Sequence, residues 1–252
     1  MIPIAAARKH PEIAAGLLVV AALAWWWTVR RMAGMGAAPG TSLGTLGWFT
    51  GSWAAMMAAM MLPSLAPTVS AYATALARRP APGRWLLFAA GYLLVWTAVG
   101  VLAYGLFELG KSLLGSDLAW GRSGRWASAG VLALAAGYQF TPMKRTCLTR
   151  CRGQLSQVRG RGALAMGVRS GGWCLGCSWA LMAALFALGV MSITWMVVIA
   201  ALVALEKAGP WRSSARFVTA AVLALLALGI LVAPHDVPGL VLPAPGGMNA
   251  MS

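Results

Sequence analysis

The apolar residues of this chain fall in long blocks, and its charges are pushed to the joints between them. That pattern limits the fold more than any motif does, because about 20 consecutive apolar residues form a helix that crosses a bilayer. Seven blocks approach that length, at 12–29, 46–73, 85–109, 126–140, 173–190, 193–205 and 217–232; the fourth and sixth are short. Charged residues make up 10% of the 252, against roughly 25% in ordinary soluble domains, which argues against a water-soluble globule. The expected fold is all-α, a polytopic transmembrane helical bundle of six or seven spans over residues 1–233. A basic cytoplasmic amphipathic segment is expected at 142–172 and an extracytoplasmic tail at 234–252.

In a soluble protein a net charge of +15 would suggest a nucleic-acid partner, but here the placement of the charges decides. When the joints are assigned alternately to two sides, one side holds fifteen Lys and Arg and the other five. The positive-inside bias then sets the richer side, and the N-terminus, in the cytoplasm. A re-entrant hairpin formed by the fifth and sixth blocks would leave that bias almost unchanged. The N-terminus has the basic start and apolar stretch of a signal peptide, yet no clear Ala-x-Ala cleavage site precedes Arg30 and Arg31, so it reads as a retained helix. No nucleic acid is expected as a partner, and no nucleotide either. Residues 105–112 spell the phosphate-loop pattern G-x-x-x-x-G-K-S, but they end a transmembrane block instead of joining a strand to a helix. Five acidic residues and two His, His10 and His235 in opposite terminal segments, leave little acid–base material, and enzymatic action is the lesser expectation.

Soft ligands are the more abundant chemistry. Cys147 and Cys151 are four apart; with Thr141 as N-cap and Pro142 at the first helical position, both thiols fall on one face of a short helix. Lys144, Arg145, Arg150, Arg152 and Arg159 make that segment basic and amphipathic, suited to anionic lipid of the inner leaflet. Cys174 and Cys177 form a C-x-x-C at the expected cytoplasmic start of the fifth span, where the helix dipole favours thiolate. Four thiols at one membrane face could make a two- or four-thiolate site for Cu(I), with Zn(II) the other fit. The alternative is that buried Cys pack as small apolar residues. A structural disulfide is not expected in the reducing cytosol.

Trp53, Met56, Met57, Met60, Met61 and Ser64 share one face of the second block, and Ala54, Ala55, Ala58, Ala59 and Leu62 occupy the rest. A thioether face suits Cu(I), and Met is equally an adaptable filler of cores. Pro63 and Pro67 are expected to break this helix near mid-membrane, as is tolerated where the freed carbonyls meet protein or line a cavity. Along the membrane normal, Met32 and Met35 fall outside, Met191 and Met196 near the outer edge, Met56 to Met61 and Met182 deeper, and the thiols at the inner edge, which describes a path for a soft ion. Ala129, Ala133 and Gly137, and Ala200, Ala204 and Ala208, read as close-packing helix faces. Glu206, beside Lys207, reads as a paired helix terminus.

Several of these motifs, in this order, carry a resemblance: Trp53-x-x-Met56-Met57-x-x-Met60-Met61-x-Pro63-x-x-x-Pro67; Gly137-x-Gln139-x-x-Pro142-x-Lys144-x-x-Cys147-x-x-x-Cys151-Arg152; Cys174-x-Gly176-Cys177-x-Trp179-x-x-Met182; and Glu206-Lys207. From about Trp48 to Trp211 the chain resembles a bacterial family of predicted metal-binding integral membrane proteins, a family with a domain of unknown function. The resemblance implies a multi-pass protein of the bacterial cytoplasmic membrane that binds metal, and it implies no reaction. The family pattern carries a His shortly before the C-x-x-C and a further Cys directly after it; Ser170 and Ser178 stand in those places here, which leaves Cys147, Cys151, Cys174 and Cys177 as candidate ligands. The leading expectation is a protein that binds, and moves or delivers, Cu(I) through these Cys and through Met56, Met57, Met60, Met61 and Met182. Its partners would be membrane-complex subunits or a metallochaperone. Two other readings stand beside it: a membrane thiol–disulfide oxidoreductase using Cys174 and Cys177, and a non-catalytic assembly subunit.

Overall fold

The computed structural model describes residues 11–32, 45–75, 83–114, 122–152, 162–189, 192–208 and 214–232. Among them there is no strand. Eight helices follow in order: α1 (Pro11–Met32), α2 (Leu46–Ala75), α3 (Arg84–Leu114), α4 (Arg122–Tyr138), α5 (Pro142–Arg152), α6 (Ala163–Leu188), α7 (Ile193–Ala208) and α8 (Ser214–Val232). The expected all-α bundle is the fold. Five helices, α1, α2, α3, α6 and α8, are long and apolar enough to cross a membrane. The two short blocks become short helices, with only Trp126–Tyr138 of α4 apolar and 16 residues in α7. Residues 105–112 lie inside α3 as continuous helix, so they form no loop.

Burial sorts the helices into a centre and a rim. The apolar stretches of α2 and α6 are 67% and 56% buried, those of α1, α3 and α8 between 22% and 33%. Both the Met and the Ala side of α2 are covered at mid-helix, with Met56, Met57, Met60, Met61, Ala58 and Ala59 all buried. The tightest crossing joins α3 to α6 through glycines. Gly91 lies against the Leu164 carbonyl, Gly167 against the Phe88 carbonyl, and a Cβ on Gly171 would stand 3.0 Å from the Tyr92 carbonyl. Lipid supplies no hydrophobic drive between helices, so this backbone approach is what van der Waals packing rewards. The small-residue faces expected elsewhere serve this way only in part: Ala129 is buried and Ala200 half-buried, but Ala133, Gly137 and Ala204 are exposed.

Two expectations about helix ends are corrected. Pro63 and Pro67 do not break α2, which runs unbroken from Leu46 to Ala75. Pro63 lacks the N–H that would bond the Ala59 carbonyl, and the Trp25 indole of α1 donates to that carbonyl instead, at 3.0 Å. A neighbouring helix thus satisfies the freed acceptor. The second correction concerns the C-x-x-C. α6 starts at Ala163, not at Trp173, so Cys174 lies roughly 17 Å along the helix at 1.5 Å per residue. The N-terminal dipole, which acts within the first turn, does not reach it. The expected cap of α5 is present, with the Lys144 amide donating to Thr141 Oγ1 at 3.3 Å.

Candidate metal centre

Cys174 is built into a nest of donors by the α3–α6 crossing. Gly167, Gly171, Cys174 and Ser178 recur at helical spacing on one face of α6. The glycines let α3 approach, and Tyr92, next to Gly91, then reaches across to donate its hydroxyl to Cys174 Sγ at 2.8 Å. The Lys207 ammonium, in the last turn of α7, donates to the same sulfur at 2.9 Å. It also reaches Ser64 Oγ at 3.2 Å and Met61 Sδ at 3.7 Å on α2. Cys174 thus takes its donors at mid-helix from the side chains of two other helices and not from a helix N-terminus.

Three sulfurs converge here. The Sγ atoms of Cys151, Cys174 and Cys177 all lie within 4.8 Å of one another. Cys174 and Cys177 are buried and Cys151 is partly buried. Cys177 donates its thiol to the Cys174 carbonyl at 3.1 Å, and the Ser178 hydroxyl donates to the same carbonyl at 2.8 Å. Cys151, on α5 outside the long apolar helices, has its thiol pushed up to about 12, first by its hydrogen bond with Cys174 and also by burial, with Cys177 and Lys207 pulling the other way.

The fourth cysteine is placed differently. Cys147 is buried, but its sulfur sits 2.7 Å from where a Cβ on Gly176 would stand, seated on the α6 backbone between the two paired cysteines and outside the three-sulfur group. The Tyr138 hydroxyl holds the same stretch from α4, donating to the Gly176 carbonyl at 2.6 Å. Of the Met stripe, Met61 touches the site, through Lys207; Met56, Met57, Met60 and Met182 belong to the continuous apolar core.

The basic set divides as well. Lys144 does not face lipid headgroups. It is 2% exposed and meets Glu206 of α7 at 2.8 Å, so the sequence neighbour Lys207 is not the partner of Glu206. Burial without water leaves an ammonium needing a close anion, and Glu206 supplies it. Arg145 and Arg150 do point outward, Arg150 with its guanidinium 4.6 Å over the Trp173 ring. They line a shallow depression with Pro142, Thr146 and Thr149. The side chains of Met32 and Arg152, and all of His10, Met35, Arg159, Met191, His235 and the 234–252 tail, lie outside the described residues.

Sequence reasoning missed Tyr92 and undervalued the Glu206–Lys207 pair. Charge next to an apolar block was the available signal for the pair. For Tyr92 the adjacent Gly91 was the only hint.

Compared with known proteins, residues 50–232 match the model of a family described as a copper chaperone, PpoB2. The match covers most of the chain, and the protein belongs to that family. No curated protein and no solved structure matches it.

Proposed function

With membership of a copper chaperone family as the premise, we propose that this protein binds Cu(I) on Cys151, Cys174 and Cys177 and delivers it to an acceptor at the membrane. The observation that carries this is the convergence of three sulfurs from two helices within 4.8 Å. Metal–thiolate bonds of about 2.3 Å place three sulfurs around one ion roughly 4 Å apart, so a small closing movement suffices. Three thiolates without a fourth protein ligand suit soft, low-coordinate Cu(I) better than structural Zn(II), which takes four. Met61, one contact away through Lys207, makes the inner end of the thioether stripe the approach by which a soft ion exchanges onto Cys174. The protein sits in the bacterial cytoplasmic membrane. The exposed Arg145 and Arg150 of α5 meet anionic lipid or an acidic face of a metallochaperone.

Anaerobically purified protein in detergent, from cells grown with copper, tests this by elemental mass spectrometry. About one copper per chain is expected, lost in Cys174→Ser and Cys177→Ser, held more weakly in Cys151→Ser and retained in Cys147→Ser. Copper content unchanged in all four variants overturns the site.

A further inference from the structure

Lys144 and Glu206 are almost fully buried, at 2% and 3% exposure, and meet at 2.8 and 3.0 Å. They are 62 residues apart and join α5 to the last turn of α7. The copper site as described uses neither. Such a pair contributes little net stability, because desolvating two charges offsets most of their attraction, and an apolar pair of similar volume often does as well. What a buried pair does is hold one geometry, since with water excluded neither charge has another partner.

The geometry held here is the seating of α5. Lys144, Cys147 and Cys151 stand at i, i+3 and i+7, one face of the helix, so whatever pins Lys144 pins Cys151. Little else does. α5 has 11 residues, and Met143, Arg145, Thr146, Thr149 and Arg150 are all exposed. Resting on the copper reading above, we infer that the Lys144–Glu206 ion pair is a latch that seats Cys151 against Cys174 and Cys177, so that the third sulfur of the site is present only while the latch is closed. Lys144 and Glu206 are positioning residues that act through Cys151. The arrangement also gives the last turn of α7 two holds on the site: Glu206 on the helix that carries Cys151, and Lys207 on Cys174 itself.

The test uses the full chain in lipid nanodiscs. Without metal, maleimide labelling of Cys151, located by peptide mapping, is expected to speed up at least about tenfold in Glu206→Gln, by analogy with the 10–100-fold that partners of ligand residues are typically worth in metal affinity. The exchanged pair Lys144→Glu with Glu206→Lys is expected to restore slow labelling. With Cu(I), X-ray absorption is expected to count three sulfurs in the wild type and two in Glu206→Gln, with affinity lower by a similar factor. Adding Glu206→Gln to Cys151→Ser should cost no further affinity, an outcome that general loosening of the fold would not produce. Unchanged Cys151 labelling in Glu206→Gln, or a second loss of affinity on top of Cys151→Ser, overturns the latch. Where Glu206→Gln fails to insert, the exchanged pair decides: three sulfurs support the latch and two overturn it. A wild type that binds no copper refutes the copper reading, and the labelling still judges the latch.

Discussion

On the copper reading proposed above, Cys151 and Cys174 would meet the ion from opposite starting points. The sulfur of Cys174 is already an acceptor for Tyr92 and Lys207, whereas the thiol of Cys151 is pushed up to about 12, first by its hydrogen bond with Cys174. Below the unfolded thiol value of about 8.5, this raised value stabilises the empty fold, and the contribution is lost as pH climbs from there towards 12. Copper binding runs the other way, because the ion must displace the Cys151 proton. Cu(I) affinity is therefore expected to increase from pH 6 to pH 8, and Cys151→Ser should release about one proton fewer per ion. Calorimetry in buffers of different ionisation enthalpy measures this, and equal proton release in both proteins would contradict it. At this scale the two cysteine spacings were legible in the sequence. What was not legible is that Cys151 enters the cluster while Cys147, one turn back on the same face, rests on Gly176. That choice depends on how α5 is seated on α6, which no spacing within α5 encodes.

Among the helices, the α3–α6 crossing decides whether Tyr92 can reach Cys174 at all. A side chain on Gly167 would run into the Phe88 carbonyl, a backbone atom that cannot swing aside. Gly167→Leu is expected to part the two helices, at about 1–3 kcal/mol for overpacking, and to withdraw the Tyr92 hydroxyl from Cys174. Thermal unfolding in detergent reads the first effect, and faster alkylation of Cys174 the second. Gly137→Ala, where an added Cβ meets nothing within 4 Å, should leave both unchanged. Equal behaviour of the two variants would remove the crossing from the account. The helices themselves were readable as apolar blocks, but their contacts were not. Gly167 and Gly171 look no different in the sequence from Ala133 and Gly137, and only the partner surface separates a used small-residue position from an exposed one. The continuous α2 makes the same point, because the donor that compensates for Pro63 comes from Trp25 on another helix.

Across the whole molecule, charge and helix length give different crossing numbers, and their disagreement can be resolved. Length alone picks five helices and leaves α4 and α7 short. Five crossings would put α5 on the side away from the N-terminus, with eight Lys and Arg on the N-terminal side against twelve opposite. Crossing by α4 alone raises the N-terminal side to twelve against eight; crossing by α7 as well gives fifteen against five. Positive-inside bias is counted over short joints such as these, so it favours seven crossings, with α4 and α7 as short spans held by their neighbours. Local thinning of the bilayer accommodates a short span at a modest cost. Either odd count sends the chain's two ends to opposite faces, so a reporter after Val232 separates them only from six crossings. The deciding position is α5. A reporter fused after Arg152 is expected to be active on the cytoplasmic side, and one after Val232 on the outer side. That result places the three-sulfur cluster where a cytoplasmic donor can load it. A reporter after Arg152 on the outer side would mean five crossings, with the three-sulfur cluster on the side away from the cytoplasm.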